Sequence, residues 1–372
     1  MPVPTTWRDE FPTLDRSVYL NTCSLGALSR TSRRYLADFQ DEWEVRGAAA
    51  WYDTWWQRLA DLRLAYAGLI GANAGTVALH PSISTATAVL ASTIDYRRRP
   101  RVVTTSLDFP TVSYQWLARQ PEVEVVVVES PDGVGVPVEA IAAQVDERTA
   151  LVATSHVWFT TGVRQDIAAI AAVAHCQGAR CYVDGYQAAG QIPVDVRAAG
   201  VDFYSGGGLK WLLGGPGIAF LYARDDLLSS LEPVATGWFA HENQFGFDPR
   251  VLTRHADARR LEQGTPAMAA VHAQLGGLAV LQTAGLATVF DRTAALTREL
   301  LDGARARGLN PRCARDVRDQ TAIVTLPHAD PSAVVRRLAD RGIIVDARPG
   351  HVRVSPFFYN SSHDIEKFLQ AF

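Results

Sequence analysis

The stretch Val201-Asp-Phe-Tyr-Ser-Gly-Gly-Gly-Leu-Lys210-Trp-Leu-Leu-Gly-Gly-Pro-Gly-Ile-Ala-Phe-Leu-Tyr222 decides how this chain is read. Two apolar, strand-like runs, Val201 to Tyr204 and Ile218 to Tyr222, flank a glycine-rich turn with one lysine at its centre. Of the 36 basic residues only Lys210 and Lys367 are lysines. Arginine stays protonated, whereas a desolvated lysine can lose its proton and act as an amine nucleophile. Most lysines lie on solvated loops. Leu209, Trp211, Leu212 and Leu213 surround this one with apolar bulk that exposed loops seldom carry, so Lys210 is the candidate catalytic amine.

Working outward, Tyr182-Val-Asp184-Gly-Tyr-Gln187 precedes the lysine turn. An acidic residue ends a strand, a glutamine follows three residues later, and a lysine sits in a glycine-rich turn further on. This combination resembles the pyridoxal-phosphate (PLP) signature of class V aminotransferase-fold enzymes. That group includes cysteine desulfurases, kynureninases and isopenicillin-N-epimerase-like proteins. The resemblance implies a fold-type I PLP transferase fold. Lys210 would hold PLP as a Schiff base, Asp184 would face the pyridine nitrogen, and Gln187 would hydrogen-bond the ring oxygen.

Length and composition set the frame. A length of 372 residues suits a large domain plus a smaller one. We expect an N-terminal segment and large PLP-binding domain over residues 1–265, and a linking helix with a small C-terminal α+β domain over 266–372. A charged content of 20% and a net charge of −3 describe an ordinary globular protein and point to neither nucleic acid nor a membrane as partner. Cys23, Cys176, Cys181 and Cys313 lack zinc-type spacing and are too few for a disulfide framework, so no metal is expected and a reducing cytoplasm fits. Residues 1–10 have no apolar core and do not read as an export signal.

From residue 101 strand and helix patterns alternate. Strands are expected at 102–105, 123–128, 151–154, 181–183, 201–204 and 218–222, with helices near 111–119, 137–145 and 164–177. Strands apolar along their whole length imply burial on both faces, hence an α/β fold with a mostly parallel central sheet covered by helices. Ligands bind such sheets beyond the carboxyl ends of the strands. The polar residues there are therefore candidates: Asp108 and Phe109, Ser155 and His156, Asp184, and Ser205.

The resemblance extends along the sequence. Asn21-x-x-Ser24-Leu-Gly26 is similar to the kynureninase entry segment that borders the substrate, although a plain loop explains it equally. The turn Ser84-Thr85-Ala86 opens a helix whose free N–H groups suit a phosphate; helix capping explains the same hydroxyls. Phe109 in Leu-Asp-Phe-Pro resembles the kynureninase ring-stacking phenylalanine. His156 lies in a Ser-His-Val-x-Phe-x-Thr-Gly motif, either as a catalytic group or as a buried ring satisfying its neighbours. Phe159 replaces the desulfurase asparagine of that motif. Gly208 stands where a phosphate-binding Ser or His is usual, leaving Ser205 as the nearest hydroxyl.

Gly237-Trp238-Phe-Ala-His241 resembles a kynureninase segment that meets the cofactor. Thr265, in Glu262-x-Gly-Thr-Pro, would reach the phosphate of the other subunit, which implies a homodimer with shared sites. Pro266 at a helix start explains the same letters. Val352-Arg353-Val-Ser-Pro matches the segment whose arginine binds the substrate α-carboxylate. Desulfurases carry a catalytic cysteine loop just before it; residues 346–352 hold none. The resulting expectation is a PLP-dependent lyase that breaks a carbon–sulfur or carbon–carbon bond within the side group of an amino acid. Epimerisation, transamination and decarboxylating deamination are the alternatives on the same scaffold, and a cofactor-free binding protein is the one outside enzymology.

Overall fold

The computed structural model describes residues 7–372; Met1 to Thr6, part of the stretch read for an export signal, lie outside the described residues. The polypeptide enters through a short strand β1 (Val18–Tyr19). Helices α1 (Arg30–Arg46) and α2 (Trp56–Leu69) follow, the latter preceded by a π-helical turn at Trp51–Trp55. The seven strands of the central sheet are β2 (Val77–His80), β3 (Arg101–Thr105), β4 (Glu124–Val128), β5 (Thr149–Ser155), β6 (Arg180–Asp184), β7 (Phe203–Gly207) and β8 (Ala219–Ala223). Between them run α3 (Ile83–Ala91), α4 (Pro110–Leu117), α5 (Val138–Ala142), α6 (Ile167–Cys176) and the short α7 (Val196–Ala199). Two long helices, α8 (Met268–Ala284) and α9 (Leu286–Ala306), lead into β9 (Val324–Pro327), α10 (Pro331–Ala339), β10 (Ile343–Ile344), β11 (Asp346–Arg348), β12 (His351–Val354) and α11 (Ser362–Ala371).

The strand order is β2-β8-β7-β6-β5-β3-β4. β4, β3, β5, β6 and β7 are mutually parallel, while β8 runs antiparallel to both β7 and β2. The sheet is α/β and mostly parallel, as the apolar runs imply. Alternate residues serve two cores. Val103, Val152, Val183 and Tyr204 enter one layer; Val102, Leu151, Tyr182 and Phe203 enter the other. Strand β2 carries no signal of its own in the sequence: four residues are too few to show a period, and its place comes from pairing with β8.

Residues 343–355 divide between two small sheets. Ile343 and Ile344 pair in parallel with Val18 and Tyr19, and only from Asp346 does the backbone turn to pair with β12. The segment around residues 18–21 therefore hydrogen-bonds to the C-terminal unit, and Val18 and Leu20 share its core with Leu300, Val324 and Phe368. No single helix among the described residues is long and apolar enough to cross a membrane.

Candidate active site

A cavity of about 340 Å³ opens beyond the carboxyl ends of β3, β5 and β6. Lys210, Asp184, Gln187, Phe109, Ser84, Ser24 and Arg353 all line it, although they span residues 24 to 353. Backbone geometry explains the convergence. In a parallel sheet the strand ends that carry Phe109, Ser155 and Asp184 lie side by side. The glycine turn between the antiparallel β7 and β8 brings Lys210 back to the same edge.

The lysine turn is held from outside. Gly26 N–H donates to Leu209 O at 2.9 Å, and a Cβ on Gly26 would lie 2.2 Å from Lys210 O. Only glycine lets residues 21–26 pack over the turn. Leu213 closes it at φ 59°. Gly208 has a similar reason to lack a side chain: a Cβ there would meet Gln274 Oε1 at 2.2 Å. A Ser or His at that position would require Gln274 and Ile218 to shift.

Lys210 Nζ lies 4.6 Å from the centroid of the Tyr186 ring and 5.9 Å from that of Phe109. Burial pulls its ammonium down to about 8, opposed by the negative charge of Asp184. Asp184 is 5% exposed and its Oδ1 accepts from Tyr186 N–H at 2.8 Å. Burial raises its carboxyl to about 6; the Tyr186 hydrogen bond and the Lys210 charge work against that rise. An amine brought down and a carboxylate brought up, both in one cavity, mark a candidate proton-transfer site.

Gln187 is oriented by its neighbours. Its Oε1 accepts from Trp211 Nε1 at 2.8 Å and its Nε2 donates to Cys23 O at 3.1 Å. An indole N–H only donates, so the amide oxygen is assigned unambiguously. At the N-terminus of α3, Ser82 caps Thr85 N–H at 3.1 Å, while Ser82, Ile83 and Ser84 line the cavity. Ser84 Oγ and Thr111 Oγ1 lie 3.1 Å apart. Asp108 ties two strand ends together beneath the site: it accepts from Thr105 N–H at 2.9 Å and from Ser155 N–H at 2.7 Å.

Arg353 is 1% exposed. Its Nη1 donates to Phe159 O at 2.8 Å, and its Nη2 donates to Ser24 Oγ at 2.8 Å and to Asp346 Oδ2 at 2.7 Å. Phe159 therefore matters through its carbonyl, and its ring meets Phe109 edge-on at 5.2 Å.

Several expected site residues lie elsewhere. His156 is buried behind the cavity with Nδ1 3.1 Å from the Tyr204 hydroxyl, and burial depresses it to about 3; its ring does not line the cavity. Ser205 is turned away, in a buried hydroxyl network in which its Oγ lies 2.7 Å from the Tyr182 hydroxyl, itself 3.0 Å from Thr87 Oγ1. It does not replace the missing phosphate ligand. Thr85 is occupied with Ser82, and Ala86 is packed under α3 in the second core. Asn21 bridges to Ser355 beside the cavity without lining it. Trp238 packs against Phe239 and Phe245 on an exposed aromatic face, and Thr265 is exposed. Within one protomer neither approaches Lys210.

Four participants escaped the sequence reading: Cys23, Tyr186, Arg348 and Asp346. Only the last two left a trace, an Asp-x-Arg spacing that puts both side chains on one strand face five residues or more before Arg353.

The family model "Aminotransferase class-V" matches residues 49–368, and the protein belongs to that PLP-dependent family. Its fold is the PLP fold-type I transferase fold. It is 33% identical over 366 residues to the uncharacterized aminotransferase YcbU of Bacillus subtilis, covering 98% of this sequence and 95% of that protein. It is 31% identical to the kynureninase of Pseudomonas fluorescens over 92% of this sequence and 84% of that one. Among solved structures, the cystine C-S lyase C-DES in complex with its product cysteine persulfide superposes with a TM-score of 0.88 at 22% identity, over 97% of this sequence and 98% of that one.

The donor set fits PLP. A buried lysine and a buried aspartate face one cavity, an oriented amide stands beside them, and a helix N-terminus with Ser84 borders it. When bound, PLP supplies an electron sink for negative charge at a substrate Cα.

Proposed function

We propose that this protein is a PLP-dependent lyase that breaks a carbon–sulfur, or carbon–carbon, bond within the side group of an α-amino acid such as a cysteine S-conjugate. The observation that carries this reading is the cavity that unites Lys210 and Asp184 with the buried guanidinium of Arg353. Lys210 would hold PLP and then, as a free amine, move the Cα proton. Asp184 would keep the pyridine nitrogen protonated. Gln187 would bind the ring oxygen, and the N-terminal turn of α3 with Ser84 would receive the phosphate. Phe109 would cover the ring. Arg353 would receive the α-carboxylate.

The kynureninase and C-S lyase resemblances support loss of a side group over transamination or epimerisation. Cys23 does line the cavity, which the sequence reading of residues 346–352 did not foresee. A thiol that hands sulfur to another protein must be reachable. Cys23 is fully buried, with its N–H bound to Ser355 Oγ and its carbonyl to Gln187, so it suits a wall and not a sulfur carrier.

We infer further that the protein acts as a homodimer. Trp238, Phe245, Phe247 and Tyr52 form an exposed aromatic face, and exposed Thr265 is free to serve a partner's phosphate site. Large exposed apolar patches mark contact surfaces. We place the enzyme in the cytoplasm, where its four unpaired cysteines stay reduced.

The test is a product screen of the PLP-loaded protein with cysteine S-conjugates, kynurenine and plain amino acids. Thiol plus pyruvate, or alanine plus the cleaved acid, supports the lyase. Racemised substrate, or a keto acid that retains the whole side group, refutes it.

A further inference from the structure

We propose that Asp346 is a resident counter-ion on the carboxylate-binding edge of Arg353, displaced by the substrate α-carboxylate and then retained by Arg348. This rests on the reading of Arg353 as the α-carboxylate receptor and extends it to a residue pair that decides which amines the site admits.

The placement comes from the β11–β12 ladder. Asp346 stands directly opposite Arg353, and Arg348, two residues on, shares the face of Asp346. Asp346 Oδ2 accepts from Arg353 Nη2 at 2.7 Å and from Ser24 Oγ at 2.8 Å, and it lies 2.7 Å from Arg348 Nη1 in an ion pair. Arg348 and Arg353 both line the cavity.

The donors of Arg353 are nearly spent. A guanidinium has five N–H groups and binds a carboxylate best with two parallel donors on one edge. It has two such edges, Nε with Nη2 and Nη1 with Nη2, and both use Nη2. Here both Nη2 hydrogens are committed, to Asp346 and to Ser24. Nη1 holds Phe159 O, and Nε is buried with no partner. A buried donor without an acceptor is costly. A substrate carboxylate that took the Nε–Nη2 edge would satisfy it, but only by displacing an acceptor from Nη2, and of Ser24 and Asp346 it is the Asp346 carboxylate that like charge repels.

The local charge permits this exchange. Two guanidiniums and one carboxylate leave a single positive charge, enough for one further carboxylate. Arg348 is half-buried, and burial together with the Arg353 charge lowers its hold on its proton. Because Arg348 already touches the same oxygen, Asp346 keeps a partner when Arg353 lets go. An amine without a carboxylate offers no replacement and leaves Arg353 occupied.

The experiment is calorimetric titration of the PLP-loaded protein with L-alanine, which carries the carboxylate but no leaving group, and with L-alaninol, which lacks the carboxylate. Asp346→Asn should bind L-alanine roughly tenfold more tightly than the natural protein, the scale of one competing charged hydrogen bond. Its affinity for L-alaninol should not move. Arg348→Gln should weaken L-alanine binding in the natural background and much less beside Asp346→Asn. Asp346→Ser serves as a second variant should the asparagine protein fold poorly. Weaker or unchanged L-alanine binding in the folded Asp346 variants overturns the proposal, because Asp346 would then shape Arg353 instead of competing for it. Equal loss from Arg348→Gln in both backgrounds overturns the transfer. If Arg353→Ala leaves L-alanine binding unaltered, the α-carboxylate reading itself fails, and the proposal with it.

Discussion

Replacing Asp184 by asparagine should stabilise the cofactor-free protein while destroying its chemistry. Asparagine keeps the shape of aspartate and can still accept the Tyr186 N–H bond, so the change removes charge and little else. Burial moves the carboxyl from 3.8 to about 6. Each pH unit is worth 1.36 kcal/mol, so at pH 8 the ionised group costs the fold about 3 kcal/mol. That figure is already net of the favourable Lys210 charge, which holds the carboxyl below where burial alone would put it. Unfolding entropy near 2.1 cal/mol/K per residue converts it into roughly 4 °C.

The sign follows from proton binding. Between pH 4 and 6 the folded protein holds a proton that the unfolded one has released, so the stability of the natural protein falls as pH rises through this window. Below pH 4 the carboxyl is neutral in both states. Scanning calorimetry of the two apo-proteins from pH 4 to 8 should therefore show a gap that opens with pH. With PLP bound the gap should close, because the carboxylate then faces a protonated ring nitrogen. A gain of equal size at pH 4 and pH 8 would indicate repacking, and a loss at pH 8 would show that the carboxylate stabilises the fold. Either outcome refutes the electrostatic argument.

Borohydride treatment of the PLP-loaded protein should fix the cofactor to the peptide holding Lys210 and leave Lys367 unlabelled; Lys210→Arg should lose activity as fully as Lys210→Ala, since it supplies charge without a free amine. Arg353→Ala should lower kcat/KM by about thirty-fold to a few thousand-fold, the range for truncating one side of a buried charge pair, with Arg353→Lys recovering only part. Trp211→Phe removes the donor that orients Gln187 and should weaken PLP affinity about fivefold in a titration, the worth of one hydrogen bond near 1 kcal/mol. Gly208→Ser should destabilise the protein by roughly 1–3 kcal/mol in denaturant melts, because its Cβ would collide with Gln274 Oε1 and no phosphate contact would compensate.

The chemistry-bearing core was legible where a residue announces itself locally. Lys210 is one of two lysines in an arginine-rich sequence, and it sits in a turn whose apolar flanks forbid solvent. Asp184 ends an apolar strand, and the sheet rule then puts it at the ligand edge. The mostly parallel sheet follows from strands apolar on both faces, and the long helices from their period. These features depend on neighbours within a few residues, and a sequence carries such information directly.

Contacts between distant segments had no such trace. Cys23, from the entry loop, reaches the cavity because Gly26 packs on the backbone of Lys210. Asp346 looks like a surface charge until the β11–β12 ladder sets it opposite Arg353, with Arg348 two residues on along the same face. The reverse also holds: His156 and Thr85 stand beside true lining residues in the sequence, yet their side chains leave the cavity. Successive side chains on a strand or helix point in different directions, so adjacency in sequence does not decide which of two neighbours faces a ligand. That choice was made by the register of the sheet, the packing of residues 21–26 over the lysine turn, and the pairing of β11 with β12. The first two come from contacts between segments far apart in the sequence, and the third is a local hairpin whose faces are set only when its register is fixed.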